Sequence, residues 1–320
     1  MRLFTNMFRL SLVLFTLVVL SMCTTDEGFK PSDNAQISGR GLTPGGGGST
    51  SVNLIGLSLN NELVFMTAFH SVTETGVVPI GGLRTGESIR AIDMNKKTGI
   101  LYGLSTESVI YKIDINTGSL HPVGPAFKPA ASGDLIGFDV DPNLSLIRVM
   151  TSSLQNLKIS MTTGQVIGQD LSFHIPGVAI NGIAYGPIST LGGGGTGGGG
   201  TGGGTGGTGG GGTGGSSGNK APLYAINLGN QSLYKQTPSG TGTPVLVGST
   251  GWEWTAEGGF DIGPNNVGYT VQYGIGLHPL GTFDGDDLTT EEYRLYSINL
   301  SNAITSSYGT VRPLMGLTVK

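Results

Sequence analysis

Three aspartates stand in closely similar surroundings: Ala91-Ile92-Asp93-Met94, Gly137-Phe138-Asp139-Val140 and Gly259-Phe260-Asp261-Ile262. Carboxylates that recur on short apolar segments can do one of two things. Gathered round an open cavity, one protonated acid and one ionised partner could cleave a glycosidic bond. Embedded in packing, each would accept hydrogen bonds from backbone or hydroxyl groups at a turn or an adjoining unit, and would recur because the unit recurs. The second reading is preferred: catalytic acids need contrasting environments, and Asp93, Asp139 and Asp261 share one local motif.

The other candidate groups are weaker. Asp284, Asp286 and Asp287, with Glu291 and Glu292 close behind, could offer oxygens to Ca²⁺, yet they lack the ordered spacing of a calcium loop and read better as a solvated acidic turn. His70, His121, His174 and His278 are isolated from one another and from any cysteine, so neither a zinc spacing nor a nucleophile–base pair is present. Trp252 and Trp254 flank Glu253 in a loop just ahead of a strand, where paired aromatics could stack on a sugar or a partner surface, or pack between units. The run Gly45 to Gly48 lacks the Lys-Ser/Thr pair and strand-to-helix setting of a phosphate loop. No catalytic residue, metal or organic cofactor is therefore assigned.

What must position the three aspartates is a repeat. Gly182-Ile183-Ala184-Tyr185 and Gly316-Leu317-Thr318-Val319 follow the same outline without the acid, which makes five first strands. A second strand follows each turn, as in Leu101 to Leu104, Leu146 to Val149, Leu223 to Ile226, Gly268 to Val271 and Leu54 to Leu57. Third strands such as Val109 to Ile113 and Asn156 to Ile159 lead into Asn-Thr-Gly and Thr-Thr-Gly turns, and a weaker fourth strand closes the unit. Short β-branched and aromatic runs divided by Gly, Asn, Asp and Thr, without any helical period, indicate an all-β chain. Units of about 40 to 45 residues with four strands select a five-bladed β-propeller.

The order of parts predicts how the ring closes. The first copy begins at its second strand, Leu54 to Leu57, and the last copy is a lone first strand, Gly316 to Val319; paired, they complete one blade and remove an open edge. The small residue heading each first strand, Ala91, Gly137, Gly182, Gly259 or Gly316, fits strands that converge on an axis with little room for side chains.

The rest of the chain bounds the compartment. Arg2 and Arg9 precede an apolar run from Leu10 to Leu20 that is too short to span a bilayer, so residues 1–22 read as a removable signal peptide. Leu20-Ser21-Met22-Cys23 resembles the lipobox of bacterial lipoproteins, with Met22 in place of the usual small residue. Cys23, the one cysteine of the chain, is then the lipidation site; a plain secretory signal is the alternative. Residues 23–51 read as a flexible linker, and 52–320 as the propeller, interrupted between two strands of one blade by a Gly/Thr tract at 192–218 that should be disordered. Charged residues are only 12% of the chain and its net charge is −4, without a basic cluster, which excludes nucleic acid as a partner.

Ile136-Gly137-Phe138-Asp139, Asp141-Pro142-Asn143, Ile147-Arg148-Val149, Asn156-Leu157 and Thr163-Gly164 together resemble the most characteristic segment of a bacterial family called domain of unknown function 4394. Gly259-Phe260-Asp261-Ile262-Gly263 resembles its later glycine-phenylalanine-aspartate motif, and the likeness runs from about Asn53 to Val319. The resemblance implies an exported, propeller-like domain and carries no activity. The expectation is thus a monomeric lipoprotein, held to the outer membrane or cell surface by its lipid. It would act as a non-catalytic module for a glycan or protein ligand. A glycan-cleaving hydrolase and a passive envelope protein are the rivals, and secretion is the alternative localisation.

Overall fold

The computed structural model describes residues 51–141, 144–171, 180–187, 221–251, 254–256, 258–275 and 291–320. The expected signal peptide, Cys23, the linker and the Gly/Thr tract lie outside them. Among the described residues every regular element is a β-strand, and no helix is long and apolar enough to cross a membrane.

The strands form five antiparallel sheets, taken up along the chain one after another. The first holds β1 (Val52–Ser58), β2 (Glu62–Ala68) and β3 (Val72–Pro79). The second runs β4 (Ile89–Asn95), β5 (Ile100–Ser105), β6 (Ile110–Ile113) and β7 (Leu120–Pro122). The third is β8 (Ile136–Val140), β9 (Leu146–Thr151), β10 (Asn156–Ser160) and β11 (Val166–Gln169). The fourth is β12 (Ile180–Tyr185), β13 (Leu223–Asn227), β14 (Ser232–Gln236) and β15 (Pro244–Ser249). In the fifth, β16 (Trp254–Ala256) and β17 (Phe260–Ile262) share one edge of β18 (Val267–Ile275), followed by β19 (Glu291–Asn299) and β20 (Thr305–Val311).

The last strand, β21 (Leu314–Val319), does not start a sixth sheet. It adds to the first, giving the order β21-β1-β2-β3. Leu54 pairs with Val319, Ile55 with Thr318, Gly56 with Leu317 and Leu57 with Gly316. The two segments expected to pair do so, and the sheet that would have exposed an unpaired inner edge is sealed by β21. The architecture is a five-bladed propeller.

Burial falls from axis to rim. The inner strands β4, β8 and β21 are almost wholly buried, whereas the outer strands β3, β11, β15 and β20 are mostly exposed or half-exposed. The hydrophobic core is correspondingly five clusters, each lying between neighbouring blades. Ile55, Leu57 and Leu63 meet Ile92, Leu101 and Ile113 between the first two blades. Leu54, Val64 and Met66 meet Tyr269, Val271 and Leu295 at the closing seam, with Leu314, Leu317 and Val319 filling it. Each Leu, Ile or Val so buried contributes about 1.5–3 kcal/mol, so the ring is stabilised at every interface rather than by one central core.

The turns repeat as well. Gly118 and Gly164 end the Asn-Thr-Gly and Thr-Thr-Gly turns in the left-handed region, at φ 70° and 66°. Gly118 N donates to Asp114 O and Gly164 N to Ser160 O. An L residue there meets both backbone strain and, at Gly118, the carbonyl of Pro79, which a Cβ would approach to 1.9 Å.

Candidate functional site

The inner strands β21, β4, β8, β12 and β17 all begin at one mouth of the ring and converge along its axis. Four of the five heads are glycines, and each glycine lies against the inner strand of the following blade. A Cβ on Gly137 would stand 2.9 Å from Ile183, on Gly182 2.5 Å from Phe260, on Gly259 1.9 Å from the Leu317 backbone nitrogen, and on Gly316 3.4 Å from Ile92. The crowding expected from the sequence is present, and it has a direction round the ring.

The same direction orders the polar groups two residues further on. Asp93 Oδ2 accepts from Val140 N–H at 2.8 Å, Asp139 Oδ2 from Tyr185 N–H at 2.6 Å, and Asp261 Oδ2 from Val319 N–H at 2.7 Å. At the equivalent place in β21, Thr318 Oγ1 accepts from Met94 N–H at 3.1 Å. Each side chain thus binds the N–H one residue beyond its counterpart in the next blade. Ala184 alone offers no acceptor, and the Ile262 N–H it would have served turns to Asp261 Oδ1 of its own strand at 2.6 Å.

Across the axis, Lys96 Nζ donates to Asp261 Oδ1 at 2.6 Å and to the Ile262 carbonyl. Thr318 Oγ1 reaches Asp93 Oδ1 at 2.7 Å and Asp261 Oδ2 at 3.1 Å. Burial, and then the charge of Asp261, push Asp93 up to about 6; burial, then Asp93 and Asp261, push Asp139 well above the carboxylate range. Burial would lower the Lys96 ammonium, but Asp261, Asp93 and Asp139 outweigh it and hold it above its ordinary value.

One oxygen from each aspartate lies within 4.8 Å of the others, a spacing that a divalent cation could bridge. The bonds already present argue for a different occupant. Lys96 supplies a cation, and backbone N–H groups and Thr318 take most of the carboxylate oxygens. The three acids are 1–2% exposed. They form a hydrogen-bonded plug, not a set of ligands converging on open space.

A second polar cluster ties the third blade to the fourth. Arg148, on β9 and 2% exposed, donates from Nε to Tyr185 Oη at 2.7 Å, from Nη1 to Asn156 Oδ1, and from Nη2 to Asp170 Oδ2 at 2.9 Å. Asp170 Oδ1 accepts from Lys158 at 2.6 Å, and Asn156 Nδ2 donates to the Leu171 carbonyl at 2.8 Å. Burial acts to raise Asp170, but the bonds from Lys158 and Arg148 prevail and hold it below its usual value. A Cβ on Gly240 would meet Asp170 at 2.1 Å, so the fourth blade closes directly over the pair.

At the mouth where the inner strands begin there is a cleft of about 370 Å³ lined by Ser88, Arg90, Thr106, Asp134, Ile136, Gly258 and Met315, together with Leu135. Arg90 Nη2 donates to the carbonyls of Gly133 at 2.6 Å and Asp134 at 3.1 Å, leaving Nε and Nη1 without a partner among the described residues. Below the cleft the axis narrows to a void of about 10 Å³ between Ile92, Phe138, Ile183, Phe260 and Leu317. That is room for a single water at most.

Residues 62–186 match a family model, Domain of unknown function (DUF4394). The matched stretch runs from β2 through β12 and carries Asp93, Asp139, Arg148 and Asn156, including the segment on which the sequence resemblance was drawn. No curated protein matches the chain. Among solved structures, a structural genomics protein of unknown function from Bacteroides thetaiotaomicron VPI-5482 is similar with a TM-score of 0.46 at 12% identity, over 81% of this chain and 64% of that one. AztD of Citrobacter koseri is similar with a TM-score of 0.31 at 12% identity, over 58% and 42%. This chain thus spans less than two thirds of the length of either.

The structure brings Asp93, Asp139 and Asp261 together and does not join them to the other candidates. Trp254 begins β16, opposite Gly274 of β18, so it stands in a strand and not in the loop expected there: the inner edge of the fifth blade is laid down in two pieces, β16 and β17, with Gly258 and Gly259 outside both. Trp252 and the acidic turn with Asp284, Asp286 and Asp287 lie outside the described residues, as does Cys23. The rings of His70 and Phe69, both on the turn after β2, meet at a tilt of 59° with centroids 4.0 Å apart. Sequence reasoning missed Lys96, Thr318 and Arg90. Lys96 sits in an Asn-Lys-Lys-Thr turn that looks solvated, and only the closed ring carries it to Asp261.

Proposed function

We propose that the propeller is a non-catalytic binding module of the cell envelope whose mouth cleft takes a neutral, polyhydroxylated ligand such as one saccharide unit. The cleft carries this reading. Its volume falls in the range of small-ligand sites, and its lining combines polar groups with apolar surface, as such sites do. Arg90 offers donors, Asp134 an acceptor, and Ser88 and Thr106 hydroxyls that do both, beside Leu135, Ile136 and Met315. One cationic and one anionic side chain balance, which favours an uncharged ligand over an acid or an amine.

The hydrolase reading needs an accessible acid and base flanking a bond. The axial aspartates are spent on backbone, Thr318 and Lys96, and the void above them is too small for a sugar. This supports binding without cleavage. The family match over residues 62–186, with the strand repeat continuing to Val319, supports reading the whole propeller as one member of that family of unknown function.

The test is a glycan array probed with the full-length protein, followed by titration of any hit against Thr106→Val and Asp134→Asn. Loss of at least tenfold in affinity in both variants is expected. Binding that ignores both substitutions, or an array without a hit, would leave the passive envelope role as the better account. The signal-like start and Cys23 support lipid anchoring; Cys23→Ser should move the protein from the membrane to the soluble fraction, and continued membrane association would reject the anchor.

A further inference from the structure

Three buried carboxylates share the axis with one ammonium, so at neutral pH the cluster carries two uncompensated charges unless it keeps a proton. Buried charge without a partner is costly. The hydrogen count points the same way. The Thr318 hydroxyl has one hydrogen, yet it lies at bonding distance from both Asp93 and Asp261 while accepting from Met94 N–H. A proton on Asp93 completes that set, and Asp139, with an oxygen within 4.8 Å of one on Asp93, is the neighbouring acid with which it can be shared.

Among the described residues, no other group on the strands round the axis supplies the missing charge. β4 and its turn bring Asp93 and Lys96, β8 brings Asp139 with Asp141 just beyond it, β17 brings Asp261, and β12 brings Tyr185. β21 brings only the hydroxyl of Thr318. Arg148, on β9, is spent on Tyr185, Asn156 and Asp170.

The bonds that would feel the charge are those of the closing strand. Thr318 and Val319 of β21 are held to the axis by Asp93 and Asp261, and the same strand seals the ring against β1. We propose that the retained proton is a clasp on the C-terminal strand: while Asp93 and Asp139 share it, β21 is locked to the axis, and its loss as pH rises loosens β21 and opens the seam with β1. The clasp is independent of any ligand in the cleft.

Both acids bind a proton more tightly folded than unfolded, with Asp93 at about 6. The stability they contribute is therefore present in full below the ordinary carboxylate range near 4 and is lost as pH rises through 6 and beyond. The shift of Asp93 alone corresponds to on the order of a hundredfold in the closing equilibrium.

Hydrogen exchange of the full-length protein between about pH 4 and pH 8, corrected for the intrinsic rate, tests this. Protection of 314–319 should fall on the order of a hundredfold relative to 146–151, the segment of β9. In Asp139→Asn, whose amide keeps a hydrogen for Asp93 and an oxygen for Tyr185, the fall should be smaller, because Asp93 still titrates while position 139 no longer does. Constant protection in the natural protein, equal loss in both segments, or an undiminished loss in Asp139→Asn each overturns the clasp. Should Asp139→Asn not fold, the comparison of the two segments in the natural protein decides alone.

Discussion

Among the glycines that head the inner strands, Gly259→Ala should be the most damaging. Its φ lies outside the left-handed region, so the backbone itself accepts alanine. What it lacks is space: the new Cβ would lie 1.9 Å from Leu317 N and 2.7 Å from the Gly316 carbonyl carbon, both backbone atoms of the closing strand. Neither can rotate away, so β17 and β21 must part where Asp261 binds Val319. Overpacking of a dense interior costs about 1–3 kcal/mol, and a backbone-limited clash belongs at the upper end.

Gly316→Ala supplies the control. There the added Cβ would meet the Leu57 Cβ at 3.3 Å and Ile92 at 3.4 Å, contacts that a shift of a few tenths of an ångström relieves. Replacing glycine also stabilises by about 0.4–1 kcal/mol through the unfolded chain, so this variant should stay within about 1 kcal/mol of the natural protein. At roughly 2–4 °C per kcal/mol for a domain of this size, Gly259→Ala should melt about 6–12 °C lower and Gly316→Ala within about 4 °C of the parent. Gly182→Ala and Gly137→Ala, at 2.5 and 2.9 Å, should fall between in that order. Thermal unfolding followed by circular dichroism measures the series, and equal melting of Gly259→Ala and Gly316→Ala would refute the steric ordering.

Two further outcomes follow from the same interfaces. Deleting Leu314 to Lys320 removes Leu314, Leu317 and Val319 from the seam; at about 1.5–3 kcal/mol each the loss approaches the whole stability of a typical domain. The truncated protein should lose its cooperative melt, and an unchanged melt would contradict closure by β21. Arg148→Met should cost about 3 kcal/mol, since it strips a buried partner from Asp170, Tyr185 and Asn156 together. Urea unfolding near neutral pH reads that loss. The difference from the parent should shrink as pH falls, because Asp170 is held below its usual value and its contribution goes once it is protonated.

Much of this fold is legible in the chain because the repeat exposes it five times over. The small-apolar-Asp-apolar outline marks the inner strands, and the split of one blade between the two ends predicts the pairing of Leu54 to Leu57 with Gly316 to Val319. The interruption at Gly258 and Gly259 was harder to read. It divides an inner edge into β16 and β17, and an edge in two short pieces has no pattern long enough to separate from a loop. Arg148 and Asn156 stood out only through a resemblance; their chemistry needs Asp170, 22 residues on and brought back by the pairing of β9, β10 and β11, and Tyr185, 37 residues on and met only when two blades pack.

The axial cluster shows why position in the repeat says more than residue type. Thr318 lacks the acid of its counterparts, yet stands at their place and does their work, receiving the N–H of the next blade. Ala184 stands there too and cannot, which leaves Ile262 N–H to be taken by Asp261 of the same strand. That bond holds Asp261 Oδ1 beside its own strand and next to the Ile262 carbonyl, so two acceptors come to face the far side of the axis. Lys96 binds both. The one apolar member of the ring thus accounts for where its one cation sits, a consequence that no single copy of the repeat contains.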